Sequence, residues 1–105
     1  HEYTNKRGKV YELFKKNEEE MSSFNFLYAP EKYLYESFLH FEKSSQILIG
    51  KNLAIPAYEQ CIKASHSFNL LDSRGLISVS ERQAYILRIR SLVQKCCELL
   101  SNANE

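Results

Sequence analysis

The sequence has little of what turns require, since its 105 residues contain three glycines and two prolines, and it has no tryptophan. An all-β domain needs a turn signal about every 8–12 residues. The scarcity of turn residues therefore argues against a sandwich or barrel and favours a few long helices with short connections. No apolar run approaches the roughly 18 residues of a membrane span, so we expect a soluble chain. Its length fits one domain with one core.

Cysteine is also scarce, and its spacing is uninformative for metal or disulfide chemistry. The three cysteines are Cys61, Cys96 and Cys97, without a C-x-x-C pair or a histidine at zinc-ligand spacing. This pattern predicts neither a disulfide framework nor a metal site, and a cytoplasmic location fits it best. Cys61 and Cys96 fall on apolar stripes, where buried thiols behave as small hydrophobic groups.

Proline and glycine mark the ends of two predicted helices. Pro30 and Gly50 enclose the first, and Pro56 and Gly75 enclose the second. Proline suits the first turn of a helix because its missing N–H has no partner there, and glycine suits the position just past the end, where φ is often positive. The two segments are therefore predicted to be helices of about five turns each.

Each predicted helix has one apolar face. A third helix opens at the capping box formed by Ser78 and Glu81. Within all three helices, apolar or small residues recur at spacings of three and four. These stripes are Leu34, Phe38, Phe41, Ser45 and Leu48; Ala57, Cys61, Ala64, Phe68 and Leu71; and Ile86, Ile89, Val93, Cys96 and Leu100.

The chain is predicted to be all-α, as a small antiparallel bundle of three long helices with an additional short N-terminal helix. We expect a single helical domain over residues 1–105. Residues 29–105 would form the bundle. Residues 1–28 would form a short helix, from about Arg7 to Met21, and an extended aromatic connector.

The residues around the end of the second helix attract attention, although no catalytic motif is present. His66, Asn69, Asp72 and Gly75 are predicted to form a structural junction. In that interpretation an Asp–Arg pair, with Arg74 available, holds a polar-capped helix end. The alternative is a recognition surface.

The formal net charge of +1 points to no partner. Basic residues gather on the third helix, but at about 100° per residue Arg82, Arg88 and Arg90 do not share one face. A solvated helix surface is favoured over a nucleic-acid or protein contact.

A long stretch of the chain resembles the C-terminal helical domain of the bacterial-type glycyl-tRNA synthetase α subunit. The resemblance is carried by IPAY at 55–58, IKASHSFNLLDSRG at 62–75 and ISVSERQAYILRIR at 77–90, and upstream by NEEEMSSFNF at 17–26. It covers most of the chain, and the departures lie at the two ends and in the loop at 50–53.

The resemblance implies a parent enzyme of α₂β₂ type that joins glycine to tRNA(Gly) with ATP and Mg²⁺. Its upstream class II core would bind ATP and glycine. None of that core's motifs is present here, so we expect no catalytic residue, no cofactor and no metal site in this chain, and no activity from it alone. The implied partners are the β subunit and tRNA(Gly), with neither membrane nor DNA.

Two roles follow from the resemblance, and two other functions remain as alternatives. By analogy with the related alanine enzyme, the domain would hold the tRNA acceptor stem through phosphate contacts of Arg74, Arg82 and Arg88. Otherwise it would dock on the β subunit through an exposed aromatic or aliphatic patch. The alternatives are a protein-interaction module with no direct RNA role and a stand-alone helical enzyme, the latter disfavoured because no acid, base and nucleophile converge.

Overall fold

The structure is a computed structural model that describes residues 2–103, and within this range it contains helices and no strand. The elements are α1 (Glu2–Ser23), a short π-helical segment (Phe24–Tyr28), α2 (Glu31–Gly50), α3 (Ala54–Ser73) and α4 (Val79–Ala103). The predicted all-α fold class is confirmed. None of these helices combines the length and apolar character needed to cross a bilayer.

The bundle is built on the close pairing of α2 with α3. A three-residue turn at 51–53 reverses the chain, so the two helices run antiparallel. Small residues let them approach, because Ala57, Cys61 and Ala64 present little side-chain volume and all are buried. The buried hydroxyl of Ser45 donates a hydrogen bond of 2.8 Å to the carbonyl oxygen of Ala57. The predicted stripes of α2 and α3 therefore form their facing surfaces.

Tyr85 of α4 joins the other two helices of the bundle. Its ring meets Phe38 of α2 edge to face at a centroid distance of 4.7 Å, and it stacks on Phe68 of α3 at 5.7 Å. Both geometries are favoured by the quadrupole of an aromatic ring. Leu34 and Leu71 belong to the same buried cluster.

The predicted stripe of α4 is wrong by one residue in its centre. Tyr85, Leu92 and Cys96 are the buried residues, whereas Leu100 is exposed and Ile86 and Ile89 are only half-buried. The cause is packing against two helices at once. The most buried row of such a helix faces both neighbours at once. The apolar periodicity of the helix taken alone does not show which row that is.

The N-terminal segment also differs from the prediction. α1 has 22 residues rather than being short. The connector is helical rather than extended, since Phe24–Tyr28 form the π segment and Ser23 before it has right-handed helical angles (φ −60°, ψ −42°). Residues 9–21 are all exposed. Lysine, glutamate and leucine have high helix propensity, and Glu12 precedes Lys16 by one turn, so the segment can be helical without an apolar stripe buried on the bundle.

The projection of α1 shows in the dimensions of the molecule. The radius of gyration is 18.0 Å, against about 13 Å for a compact domain of 100 residues. In the described part of the chain α1 packs mainly against the π segment that follows it. The compact unit is thus the bundle of α2, α3 and α4.

One of the two predicted glycine stops is confirmed. Gly75 has φ +68° after the end of α3. Gly50 is instead the last residue of α2, and the positive φ of 60° belongs to Asn52. Asparagine tolerates this left-handed region better than most residues.

The cysteines occupy the positions that the stripes predicted for them. Cys61 and Cys96 are buried and unpaired, while Cys97 is exposed. Burial raises the pKa of both buried thiols above its usual value. Because the thiolate is the reactive form, a raised pKa makes both thiols less reactive, as expected of core side chains.

We predict that Phe38→Ala lowers the free energy of unfolding by about 3–5 kcal/mol, because it removes a fully buried ring at the centre of the bundle. Leu39→Ala is the matched control on the same helix, and its side chain is 52% exposed. The control should change stability by less than about 0.5 kcal/mol. Urea unfolding followed by circular dichroism measures both, and equal losses would contradict the described core.

Candidate functional site at the α3–α4 junction

The turn between α3 and α4 is fixed by backbone hydrogen bonds. The amide of Gly75 donates to the carbonyl oxygen of Asp72 at 3.0 Å, and that of Leu76 donates to Leu71 at 3.0 Å. This pair of bonds, with glycine in the left-handed region, is a Schellman motif. It satisfies carbonyl groups that the end of a helix leaves free.

The predicted capping box at the start of α4 is confirmed. The amide of Ser78 donates to Oε1 of Glu81 at 3.0 Å, and the amide of Glu81 donates to Oγ of Ser78 at 3.2 Å. Two amides at the N-terminus of α4 therefore have side-chain acceptors. The junction has a defined geometry on both sides of the turn.

An Asp–Arg pair holds this junction, but Arg82 makes it rather than Arg74. Nε of Arg82 donates to Oδ1 of Asp72 at 2.9 Å, and Nη2 lies 2.8 Å from the same oxygen. The pair joins the last turn of α3 to the first turn of α4. Because both side chains are partly exposed, its contribution to stability is at most about 1 kcal/mol.

Arg74 has a different role in the structure. Its Nη1 donates to the backbone carbonyl of Ala29, a residue with no exposed surface. Nearby, the hydroxyl of Tyr35 donates to the carbonyl of Leu76 at 2.9 Å. Together these two bonds attach the α3–α4 turn to the start of α2.

Arg88 lies between α2 and α4. Nε donates to Oε2 of Glu42 at 2.7 Å, and Nη2 donates to Oε1, so the pair is bidentate. The guanidinium carbon is 4.9 Å from the ring centroid of Phe38 and 5.4 Å from that of Tyr85. The hydrogen bond to Glu42 raises the pKa of Arg88, against the opposing effect of burial. Arginine suits such a place because its planar cation pairs and stacks at once.

The three predicted phosphate-binding arginines therefore contact three different elements. Arg74 reaches the residue before Pro30, Arg82 reaches the end of α3, and Arg88 reaches the middle of α2. Each guanidinium has an acceptor within the chain. Their role in nucleic-acid binding stays a prediction, but a phosphate would have to compete with these contacts or share the arginine.

The predicted structural junction is only partly assembled. Asp72 and Gly75 take part in it, as described above, whereas His66 and Asn69 are exposed on the surface of α3. His66 lines a groove between α2 and α3 instead. Helical geometry explains the separation, since residues 66 and 69 precede the last turn of the helix, where the capping bonds form.

Sequence reasoning missed that groove, which we call the α2/α3 groove. Its volume is about 420 Å³, and it is lined chiefly by Leu34, Phe41, Ile62, Lys63, His66 and Leu70. Ser37 and Ser67 also line it, and their short side chains leave the space open. Nζ of Lys63 stands 5.8 Å from the ring centroid of Phe41 at one edge. The signal for it in the sequence was weak: Ser37 and Ser67 are small residues on the two helices that line the groove.

The described residues include no cluster of three or more histidine, cysteine, aspartate or glutamate side chains placed to hold a metal ion.

A family model described as glycyl-tRNA synthetase alpha subunit matches residues 2–105. The match includes α1 as well as the three bundle helices, so it extends the resemblance of the internal stretches to nearly the whole chain. Synthetases of this kind are ATP-using ligases of translation, in which the alpha subunit works with a β subunit and tRNA. The chain belongs to the glycyl-tRNA synthetase alpha subunit family.

Proposed function

We propose that this chain is an accessory helical domain of the α subunit, one that supports ATP-dependent charging of tRNA(Gly) with glycine through contacts and not through catalysis. It acts as a single domain of residues 1–105, with the bundle at 29–105 and the N-terminal helix and connector at 1–28. It supplies no catalytic residue, while ATP and Mg²⁺ bind in the class II core of the parent enzyme. Its working location is the cytoplasm.

The observation that supports a protein contact most is the engagement of the arginines. Arg88 is held by Glu42 and two rings, Arg82 by Asp72, and Arg74 by a backbone carbonyl. A side chain that already has its acceptors gains less from a phosphate, because the internal bonds must be broken or shared. The proposed contact is therefore with the β subunit.

An apolar surface suited to that contact lies at the opposite end of α3 from the junction. Leu53, Ile55 and Tyr58 are all exposed there, within one and a half turns of chain. Exposed apolar groups that lie together are a feature of protein-binding surfaces. Tyrosine is also among the residues enriched in the centre of interfaces. We call these three residues the Leu53–Tyr58 patch.

The second candidate is the contact with the tRNA acceptor stem. One observation favours it, since 44% of the Arg82 side chain is exposed although it pairs with Asp72. A half-exposed guanidinium has donors left for a phosphate oxygen. The remaining alternative is a protein-interaction module with no direct RNA role. It would use the same surface to bind the β subunit and would not contact the tRNA acceptor stem.

We predict that Ile55→Ser combined with Tyr58→Ser raises the Kd for the β subunit at least about tenfold, equivalent to about 1.4 kcal/mol. The loss follows from removing two apolar side chains from the centre of the interface. Leu87→Ser, an exposed leucine on α4, is the matched control and should leave the Kd unchanged. Isothermal titration calorimetry of the α subunit with the β subunit measures it. An unchanged Kd in the double variant would contradict docking through this patch.

The double variant Asp72→Arg, Arg82→Asp keeps the ion pair but moves its positive charge from α4 to α3. It therefore separates an effect on folding from an effect on phosphate binding. In the assembled synthetase, we predict an unchanged KM for tRNA(Gly) across a series of salt concentrations. Glycine-dependent pyrophosphate exchange is the internal control, because adenylate forms in the class II core. A raised KM with a shallower salt dependence, at unchanged pyrophosphate exchange, would support the acceptor-stem contact instead.

A further inference from the structure

The α2/α3 groove combines an apolar floor with polar groups at its mouth. Leu34 and Leu70 are buried and line the floor, while Phe41 is half-buried at one side. The volume of about 420 Å³ lies within the range of small-molecule sites, about 300–1,000 Å³. Such sites are lined mainly by hydrophobic and aromatic side chains, with a few polar groups that orient the ligand.

A cation without a counter-ion stands at the mouth of the groove. Nζ of Lys63 lies 5.8 Å from the ring centroid of Phe41, and none of the ion pairs among the described residues includes Lys63. His66 is exposed and follows Lys63 by three residues, so both side chains lie on the same side of α3. This edge of the groove is therefore suited to an anionic ligand.

Two serine hydroxyls add hydrogen-bonding groups on the two walls of the groove. Ser67 of α3 is only 4% exposed and lines the groove, and Ser37 lines it from α2. A hydroxyl donates one hydrogen bond and rotates to suit its acceptor. The groove thus offers a ligand one unpaired ammonium group and two hydroxyls beside an apolar floor.

We propose that the α2/α3 groove binds a small aromatic monocarboxylate, with its ring system on the apolar floor and its carboxylate at Lys63. The rings of Tyr33 and Phe41 line the α2 side, and aromatic rings pack favourably against one another in offset or edge-to-face arrangements. Ile62 and Leu70 line the α3 side. A flat apolar body fits between these two walls.

The lining of the groove favours a carboxylate over a phosphate ester. Phosphate sites use arginine forks or the free amides at a helix N-terminus. No arginine is among the described residues that line the groove. Lys63 lies in the third turn of α3, which begins at Ala54, so the N-terminal amides of that helix are remote. A single ammonium group with neighbouring hydroxyls matches one carboxylate.

The groove adjoins the Leu53–Tyr58 patch through Ile62. This residue follows Tyr58 by one helical turn, is 52% exposed and lines the groove. A bound acid lies next to the proposed β-subunit contact but does not use Ile55 or Tyr58, neither of which lines the groove. Binding of the acid is a property of this chain alone, so it can be measured in the absence of the β subunit.

Titration of this chain with naphthylacetate, followed by nitrogen–proton correlation spectra, tests the proposal. We expect saturable shifts of the amide signals of Leu34, Lys63 and Leu70, with a Kd near or below about 1 mM, an ordinary affinity for a ligand of this size. Naphthylethanol, which has the same ring system and no charge, should bind about fivefold more weakly. Naphthyl phosphate should bind no more tightly than naphthylacetate.

Two variants with matched controls locate the ligand. Ser37→Leu fills the groove from α2 and should raise the Kd at least about tenfold, whereas Ser44→Leu, at a half-buried serine of the same helix outside the groove, should leave it unchanged. Lys63→Met keeps the approximate side-chain length and should raise the Kd for naphthylacetate about fivefold, with no effect on naphthylethanol. Lys43→Met, at an exposed lysine outside the groove, is its control.

Several results would overturn the proposal. They are the absence of saturable shifts, equal affinity for naphthylacetate and naphthylethanol, tighter binding of naphthyl phosphate, and a Kd that Ser37→Leu does not change. The Ile55→Ser, Tyr58→Ser variant should bind naphthylacetate with an unchanged Kd, and loss of binding there would place the acid on the patch instead. Failure of β-subunit docking in that variant's own test leaves the acid site standing, so the two hypotheses are distinguishable.

Discussion

The position of α4 in the bundle depends on how the cation of Arg88 is held against α2. Arg88 meets the carboxylate of Glu42 in a bidentate pair, and its guanidinium lies over the rings of Phe38 and Tyr85. Glu42 is only 13% exposed, so its carboxylate needs the cation of Arg88. Those rings also form the edge-to-face contact between α2 and α4, and Tyr85 continues to α3 through Phe68. Charge pairing and aromatic packing therefore fix the same register.

This arrangement changes how the basic residues of α4 are interpreted. The resemblance to the synthetase α subunit implied that Arg74, Arg82 and Arg88 contact the phosphates of the tRNA. In the structure, Arg82 and Arg88 hold α4 against α3 and α2, and Arg74 attaches the turn to the start of α2. Arg74, Arg82 and Arg88 thus already have acceptors within the chain. Exposed apolar side chains lie at the Leu53–Tyr58 patch, which is why the proposed contact is with a protein.

Local features of the fold were predictable from the sequence. The capping box at Ser78 and Glu81, the left-handed Gly75 and the stripes of α2 and α3 each depend on residues a few positions apart, and local chemistry determines them. The resemblance of the internal stretches also led to the family, which the match over residues 2–105 shows.

Features set by neighbouring elements were not predictable in the same way. The central row of α4 depends on its position between two helices, and the partner of Asp72 depends on how the α3–α4 turn folds back. The length of α1 was underestimated because its apolar residues follow a helical period over too short a stretch to indicate a long helix. The α2/α3 groove exists only where α2 and α3 pack together, and Ser37 and Ser67 are among the residues that line it.

The central claim is that Arg88 serves the fold by pairing with Glu42. A double-mutant cycle with Glu42→Gln and Arg88→Met, measured by urea unfolding, tests it most directly, since both replacements keep the approximate side-chain length. The account predicts a coupling free energy above about 1 kcal/mol. Additivity of the two single changes within about 0.3 kcal/mol would contradict it and return Arg88 to the group of residues available for binding a partner.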